Sequence, residues 1–105
     1  MTILPLSKEF FGLVRAGRKT STIRRGLRRW EFGPAILKCG STQVHVVITN
    51  IKHTEFGSLT ESDARKDGFA SLLELDAVLK HFYPSISNTD PVTIVSFERI
   101  NDRLD

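Results

Sequence analysis

The chain has 105 residues, 40% of them hydrophobic and 26% charged, with 15 basic against 12 acidic side chains. Such a composition suits one soluble globular domain over residues 1–105 and excludes a disordered, collagen-like or low-complexity chain. No apolar run approaches the roughly 20 residues of a membrane span, the opening MTILPLSKEF lacks the marks of a signal peptide, and the single cysteine, Cys39, leaves no internal disulfide, so a cytoplasmic protein with no membrane contact is expected.

In chain order, Ile3-Leu4-Pro5-Leu6 reads as a short edge strand, because Pro5 would spoil a central one. Ser7 is placed to cap a first helix, Lys8 to Ala16, with Phe10, Phe11, Leu13 and Val14 at helical spacing and Gly17 as its stop. Thr20 to Arg24 is β-prone, Arg25 to Phe32 reads as a loop anchored by Trp30, and Gly33-Pro34 as a turn. Ala35 to Cys39 and Thr42 to Ile51 form two strands around a Gly40-Ser41 hairpin turn. Thr60 to Asp63 resembles a capping box with Asp in place of Glu, opening a short helix that stops at Asp67-Gly68. Ser71 to Glu74 reads as a better box, for a helix that runs to about Phe82 and ends before Pro84. Val92 to Ile100 is the last strand. The order β-α-β-β-β-α-α-β, with no βαβ alternation, predicts an α+β domain: a small curled sheet or barrel with helices packed outside.

Charge is unevenly placed. Arg15, Arg18, Lys19, Arg24, Arg25, Arg28 and Arg29 lie in fifteen residues without an acid, while the rest of the chain is acidic on balance. A cationic field of this kind attracts phosphates and other anions, and its like charges depress the pKa of a lysine inside it. The bland alternative is a solvated basic edge. Neither His45, His53 and His81 nor Cys39 has metal-ligand spacing, and there is no P-loop, G-x-G-x-x-G or G-x-S-x-G, so no metal or cofactor is expected.

The densest chemistry is Gly17-Arg18-Lys19-Thr20-Ser21-Thr22-Ile23-Arg24. Strand alternation puts Thr20 and Thr22 on one face and Lys19, Ser21 and Ile23 on the other, though a turn at the strand's start can bring Lys19 to Thr22. A lysine with a lowered pKa can act as general base, and a hydroxyl beside it as nucleophile. The competing reading is an ordinary β-strand after an exposed basic turn. Among the acids, Glu61 and Asp63 sit at a helix start and Glu74 in a cap, which leaves Asp67 the most free to act elsewhere.

These residues, with Leu59-Thr60-Glu61-Ser62-Asp63-Ala64-Arg65-Lys66-Asp67-Gly68-Phe69, Glu74-Leu75 and Phe82-Tyr83-Pro84, resemble the ASCH domain family over nearly the whole chain. The resemblance implies a PUA-like small β-barrel, a mixed sheet with flanking helices, and a nucleic-acid or nucleoside ligand. In length and in the Lys-Thr-x-Thr-Ile-Arg motif the chain is similar to the small bacterial amidohydrolases that remove the acyl group from N4-acetylcytidine. Carried over, Lys19 is the proton acceptor, Thr22 the nucleophile and Asp67 the proton donor, with Arg18, Thr20, Arg24 and Glu74 as substrate-binding residues. Asp67 departs from the family's glutamate by one methylene, so Asp63 or Glu74 could take its place. Trp30, Phe32 or Phe69 could stack on the cytosine. The alternatives are a non-catalytic RNA-binding module using the Arg15–Arg29 segment, or a ribonuclease.

Overall fold

The computed structural model describes residues 1–100. Five strands, β1 (Thr2–Pro5), β2 (Ser21–Arg25), β3 (Gly33–Cys39), β4 (Thr42–Glu55) and β5 (Pro91–Arg99), form one sheet in the order β1-β3-β4-β5-β2. β1 runs parallel to β3, and the other pairings are antiparallel. The sheet is therefore mixed. It curls into a half-barrel whose two edges are β1 and β2. Across them an Arg24 Nη2 donates to the Pro5 carbonyl. Three α-helices accompany the sheet: α1 (Phe11–Arg15), α2 (Glu61–Lys66) and α3 (Leu72–Phe82). This is the expected α+β architecture. Among the described residues no helix is long and apolar enough to cross a membrane.

The curl has a local cause. β4 is 14 residues long, and its pairing with β5 slips by one between Ile48 and Asn50, leaving Thr49 as the extra residue of a bulge. Before the bulge Val44, Val46 and Ile48 face the core; after it the parity shifts and Ile51 does. The β3–β4 hairpin turns at Gly40-Ser41 as expected, with Gly40 at φ +59°.

Two hydrophobic cores result. Leu4, Leu37, Val46, Ile48, Val95 and Phe97 fill the inside of the curl, closed by Phe11 and Val14. Val92 and Ile94, on the other face of β5, pack with Ile23 against Ala64, Phe69, Leu75 and Leu79. β5 is thus buried on both faces. Phe10 packs against both cores and marks the seam between them.

Three local expectations are corrected. The helix over Lys8 to Ala16 is a 3-10 turn, Lys8–Phe10, followed by only five α-helical residues, and the Ser7 side chain makes no capping hydrogen bond. The Ser7 carbonyl instead accepts from Phe10 N–H at 3.0 Å, three residues on, which tightens the first turn. Gly33-Pro34 begins β3 rather than forming a turn, Gly33 at φ +107° supplying the bend. The reciprocal capping box belongs to Thr60 and Asp63, while Ser71 only accepts from Glu74 N–H.

Candidate active site

The site begins where α1 ends. Gly17, at φ +76°, reverses the chain, and the N–H groups of Arg18 and Lys19 both donate to the Leu13 carbonyl, at 2.9 and 3.1 Å. One residue later Thr20 N–H and Oγ1 both donate to the Lys66 carbonyl, at 2.7 and 3.3 Å. The last turn of α2 is thereby docked on the residue just ahead of β2. Asp67, the C-cap of α2, is carried against Lys19.

Lys19 Nζ lies 2.5 Å from Asp67 Oδ1 and 3.2 Å from the Asp67 carbonyl. Both residues are buried, at 3% and 4% exposure. The ammonium also sits over the rings of Phe10 and Phe69, 5.3 and 5.9 Å from their centroids. Gly68, at φ +95°, makes the close approach possible, since a Cβ there would stand 3.2 Å from Lys19 Cβ.

Burial pushes Asp67 up to about 6, against the opposing pull of Lys19 and Arg24. Burial likewise draws Lys19 below the usual lysine range, the attraction of Asp67 opposing it and Arg24 adding to it. Arg18 plays no part in that shift, so desolvation, more than the cationic run, lowers the lysine. The two shifts act together: each moves the shared proton from Nζ toward the carboxyl.

The pair opens on a cleft of about 530 Å³ at the seam between the cores, where the gap between the sheet's edges meets α3. Thr22 and Arg24 line it from β2, Pro5 and Leu6 from the end of β1, Lys38, Cys39 and Gly40 from the hairpin, and Leu79, Phe82 and Tyr83 from α3 and its end. Arg24 Nε donates to Thr22 Oγ1 at 3.2 Å, which orients the hydroxyl. Burial lowers the Arg24 pKa, with Tyr83 and Asp67 pulling it back up. Lys19 spends its hydrogen bonds on Asp67, not on Thr22.

Of the expected site residues, Lys19, Thr22, Asp67 and Arg24 share this lining. Arg18, Thr20 and Glu74 do not: all three are exposed, and Thr20 is tied to Lys66. Asp63 is committed to its cap and Glu74 stands off the cleft. The shorter side chain of Asp67 does reach the lysine. Lys19, just ahead of β2, escapes the strand alternation that would have parted it from Thr22. Ser21, between them, is buried off the cleft, its hydroxyl without a partner among the described residues.

Of the aromatic candidates only Phe69 lines the cleft; Trp30 packs on the first core and Phe32 is 66% exposed. Phe10, Phe82 and Tyr83 line it instead. Phe10 read as a helix-face residue, and only the Phe82-Tyr83-Pro84 motif hinted at the others.

No protein-family model matches the chain, and no curated protein does. Solved structures do match. An ASCH domain from Lactobacillus crispatus superposes with a TM-score of 0.76 at 13% identity, over 93% of this chain and 79% of that one. The chain has the ASCH-domain fold. The ASCH protein of Zymomonas mobilis, solved as an S128A mutant, shares it with a TM-score of 0.67 at 15% identity, over 94% of this chain and 72% of its own. The hypothetical protein PH0355, similar to this chain in length, matches with a TM-score of 0.74 at 21% identity, over 93% of this chain and 97% of its own. In the ASCH fold of this chain the cleft thus lies between the edge strands and α3.

Proposed function

We propose that the protein is an amidohydrolase that removes the acyl group from N4-acylated cytosine nucleosides such as N4-acetylcytidine. The observation that carries this reading is the buried Lys19–Asp67 pair, 2.5 Å apart, opening on a cleft that Thr22 and Arg24 also line. Such a pair can hold one proton as Lys⁺/Asp⁻ or as neutral lysine and carboxylic acid. Burial favours the neutral form, which is at once a general base and a general acid.

The cycle then balances. Neutral Lys19 takes the Thr22 hydroxyl proton while Thr22 Oγ1 bonds to the amide carbonyl carbon. The C–N bond breaks, and Asp67 gives its proton to the departing N4 amine. The pair is left as an ion pair beside an acyl-threonine. Water attacks the ester, its proton passes to Asp67, and Lys19 returns a proton to Thr22. Arg24, already bonded to Thr22 Oγ1, is placed to steady negative charge on that oxygen. Phe10, Phe69 and Tyr83 offer apolar faces for a pyrimidine ring. The first step requires Nζ to exchange an Asp67 bond for one to Thr22, a tightening that bound substrate commonly brings.

The test is release of cytidine from N4-acetylcytidine by wild type, Lys19→Ala, Thr22→Ala and Asp67→Asn. Release by wild type is expected, with losses of at least about a hundredfold in Lys19→Ala and Thr22→Ala. No release across a series of acylated cytidines overturns the reading. RNA binding along the basic run is the second reading, favoured by the exposed Arg18 and Arg29. Against it, Lys19 and Arg24 turn into the cleft and Arg25 pairs with Asp90 at 3.0 Å.

A further inference from the structure

The chemistry above engages Arg24 through its Nε alone and leaves Lys38, on the same cleft lining, without a part. Lys19 and Asp67 neutralise one another. Arg24 has no carboxylate within ion-pairing distance among the described residues; its bonds go to the Thr22 hydroxyl and the Pro5 carbonyl. Lys38 is exposed and likewise forms no ion pair among the described residues. Both cations line the cleft, Arg24 on the open side of the end of β1 and Lys38 on its β3 side. Pro5, whose carbonyl Arg24 holds, is the register partner of Lys38 across the β1–β3 pairing. Ser7, two residues beyond Pro5, lines the same end with a hydroxyl that caps nothing. A half-buried arginine and an exposed lysine on one cleft, with a spare hydroxyl and no ion-paired acid among the described residues, leave positive charge that a neutral nucleoside would not meet.

We propose that the Arg24–Lys38–Ser7 end of the cleft is an anion subsite that takes the phosphate of a nucleoside monophosphate, so that the ligand is a nucleotide in preference to a nucleoside. That the base is cytosine rests on the function proposed above; the phosphate subsite does not. Arg24 supplies a planar fork with donors left over, and Lys38 a mobile second charge at the rim.

The experiment is calorimetric titration at low salt with two ligand pairs: cytidine 5′-monophosphate against cytidine, and ribose 5-phosphate against ribose. In each pair the phosphorylated ligand is expected to bind about ten- to a hundredfold tighter, an advantage that shrinks as salt is raised. Lys38→Glu, an exposed change that leaves the cores alone, is expected to cut the advantage at least about fivefold. Equal affinities within both pairs overturn the subsite, and so does an advantage that Lys38→Glu leaves intact. A phosphate advantage that appears without any hydrolysis of acylated cytidine keeps the subsite and removes the amidohydrolase reading; hydrolysis without the advantage does the reverse. A tricytidylate that binds more than about tenfold tighter than the monophosphate overturns the mononucleotide and assigns the charge to a strand.

Discussion

Lys19 and Asp67 are two charges taken out of water together, and at the residue scale their shared proton decides the pH behaviour. Turnover needs one proton on the pair. It should therefore rise with an apparent pKa near the Asp67 value of about 6 and fall below the ordinary lysine value of 10.5, a profile measured as kcat/KM against pH. Stability follows from the same shifts. Between about pH 4 and 6 the folded chain holds a proton on Asp67 that the unfolded chain has released, so stability falls as pH rises through that window. Between the lowered Lys19 value and 10.5 the unfolded chain holds the extra proton, and stability climbs with pH. Denaturant midpoints should show this minimum where the two windows meet, flattened in a Lys19→Met/Asp67→Leu double variant. Lys19→Met alone should destabilise, and more so as pH rises, because the buried Asp67 then stays neutral only by holding a proton that the unfolded chain has released, and the double variant should recover most of that.

Among the elements, α2 matters out of proportion to its six residues, because its C-cap delivers Asp67. Thr60 and Asp63 hold its start in a full capping box, so Thr60→Ala should lower stability by about 1 kcal/mol in urea denaturation. Its end is less tolerant. At Gly68 a Cβ would meet Leu13 Cδ1 and Lys19 Cβ, each at 3.2 Å, with φ at +95°. At Gly17, φ is +76° but nothing lies within 4 Å. Gly17→Ala should thus lose about 1 kcal/mol from backbone strain alone, and Gly68→Ala more, with a loss of turnover that Gly17→Ala does not share. Helix starts and the Gly40 turn were legible because capping and hairpin chemistry are local. The short α1 was not. Its apolar spacing suits a longer helix, and the Phe10 ring's place against both cores became visible only in the fold.

For the whole molecule, the half-barrel leaves two edges, and Arg24 ties β2 to the end of β1 across the gap. Leu4 and Leu6 of that edge are buried in the first core, while the backbone pairs only with β3. Arg24→Met should raise amide hydrogen exchange in the Thr2–Leu6 segment and leave β5, buried on both faces, protected. The basic run is dispersed by the same curl. Lys19 and Arg24 go to the cleft, Arg25 to Asp90, and Arg28 over Trp30 at 5.8 Å, its N–H donating to the buried Thr93 hydroxyl. Proximity in sequence placed these charges together; the sheet's geometry separates them.

Local pattern was enough for the α+β class, the order of elements, both N-terminal helix caps after residue 59, and the motif that holds Lys19, Thr22 and Arg24, because periodicity, turn chemistry and residue type act over a few residues. Tertiary structure decided what those residues meet. The Lys19–Asp67 contact joins positions 48 apart, and it depends on α2 docking on Thr20, just ahead of β2. Burial, which no local pattern specifies, then sets the protonation of the pair, and the approach of two sheet edges brings Arg24 of β2 to the end of β1.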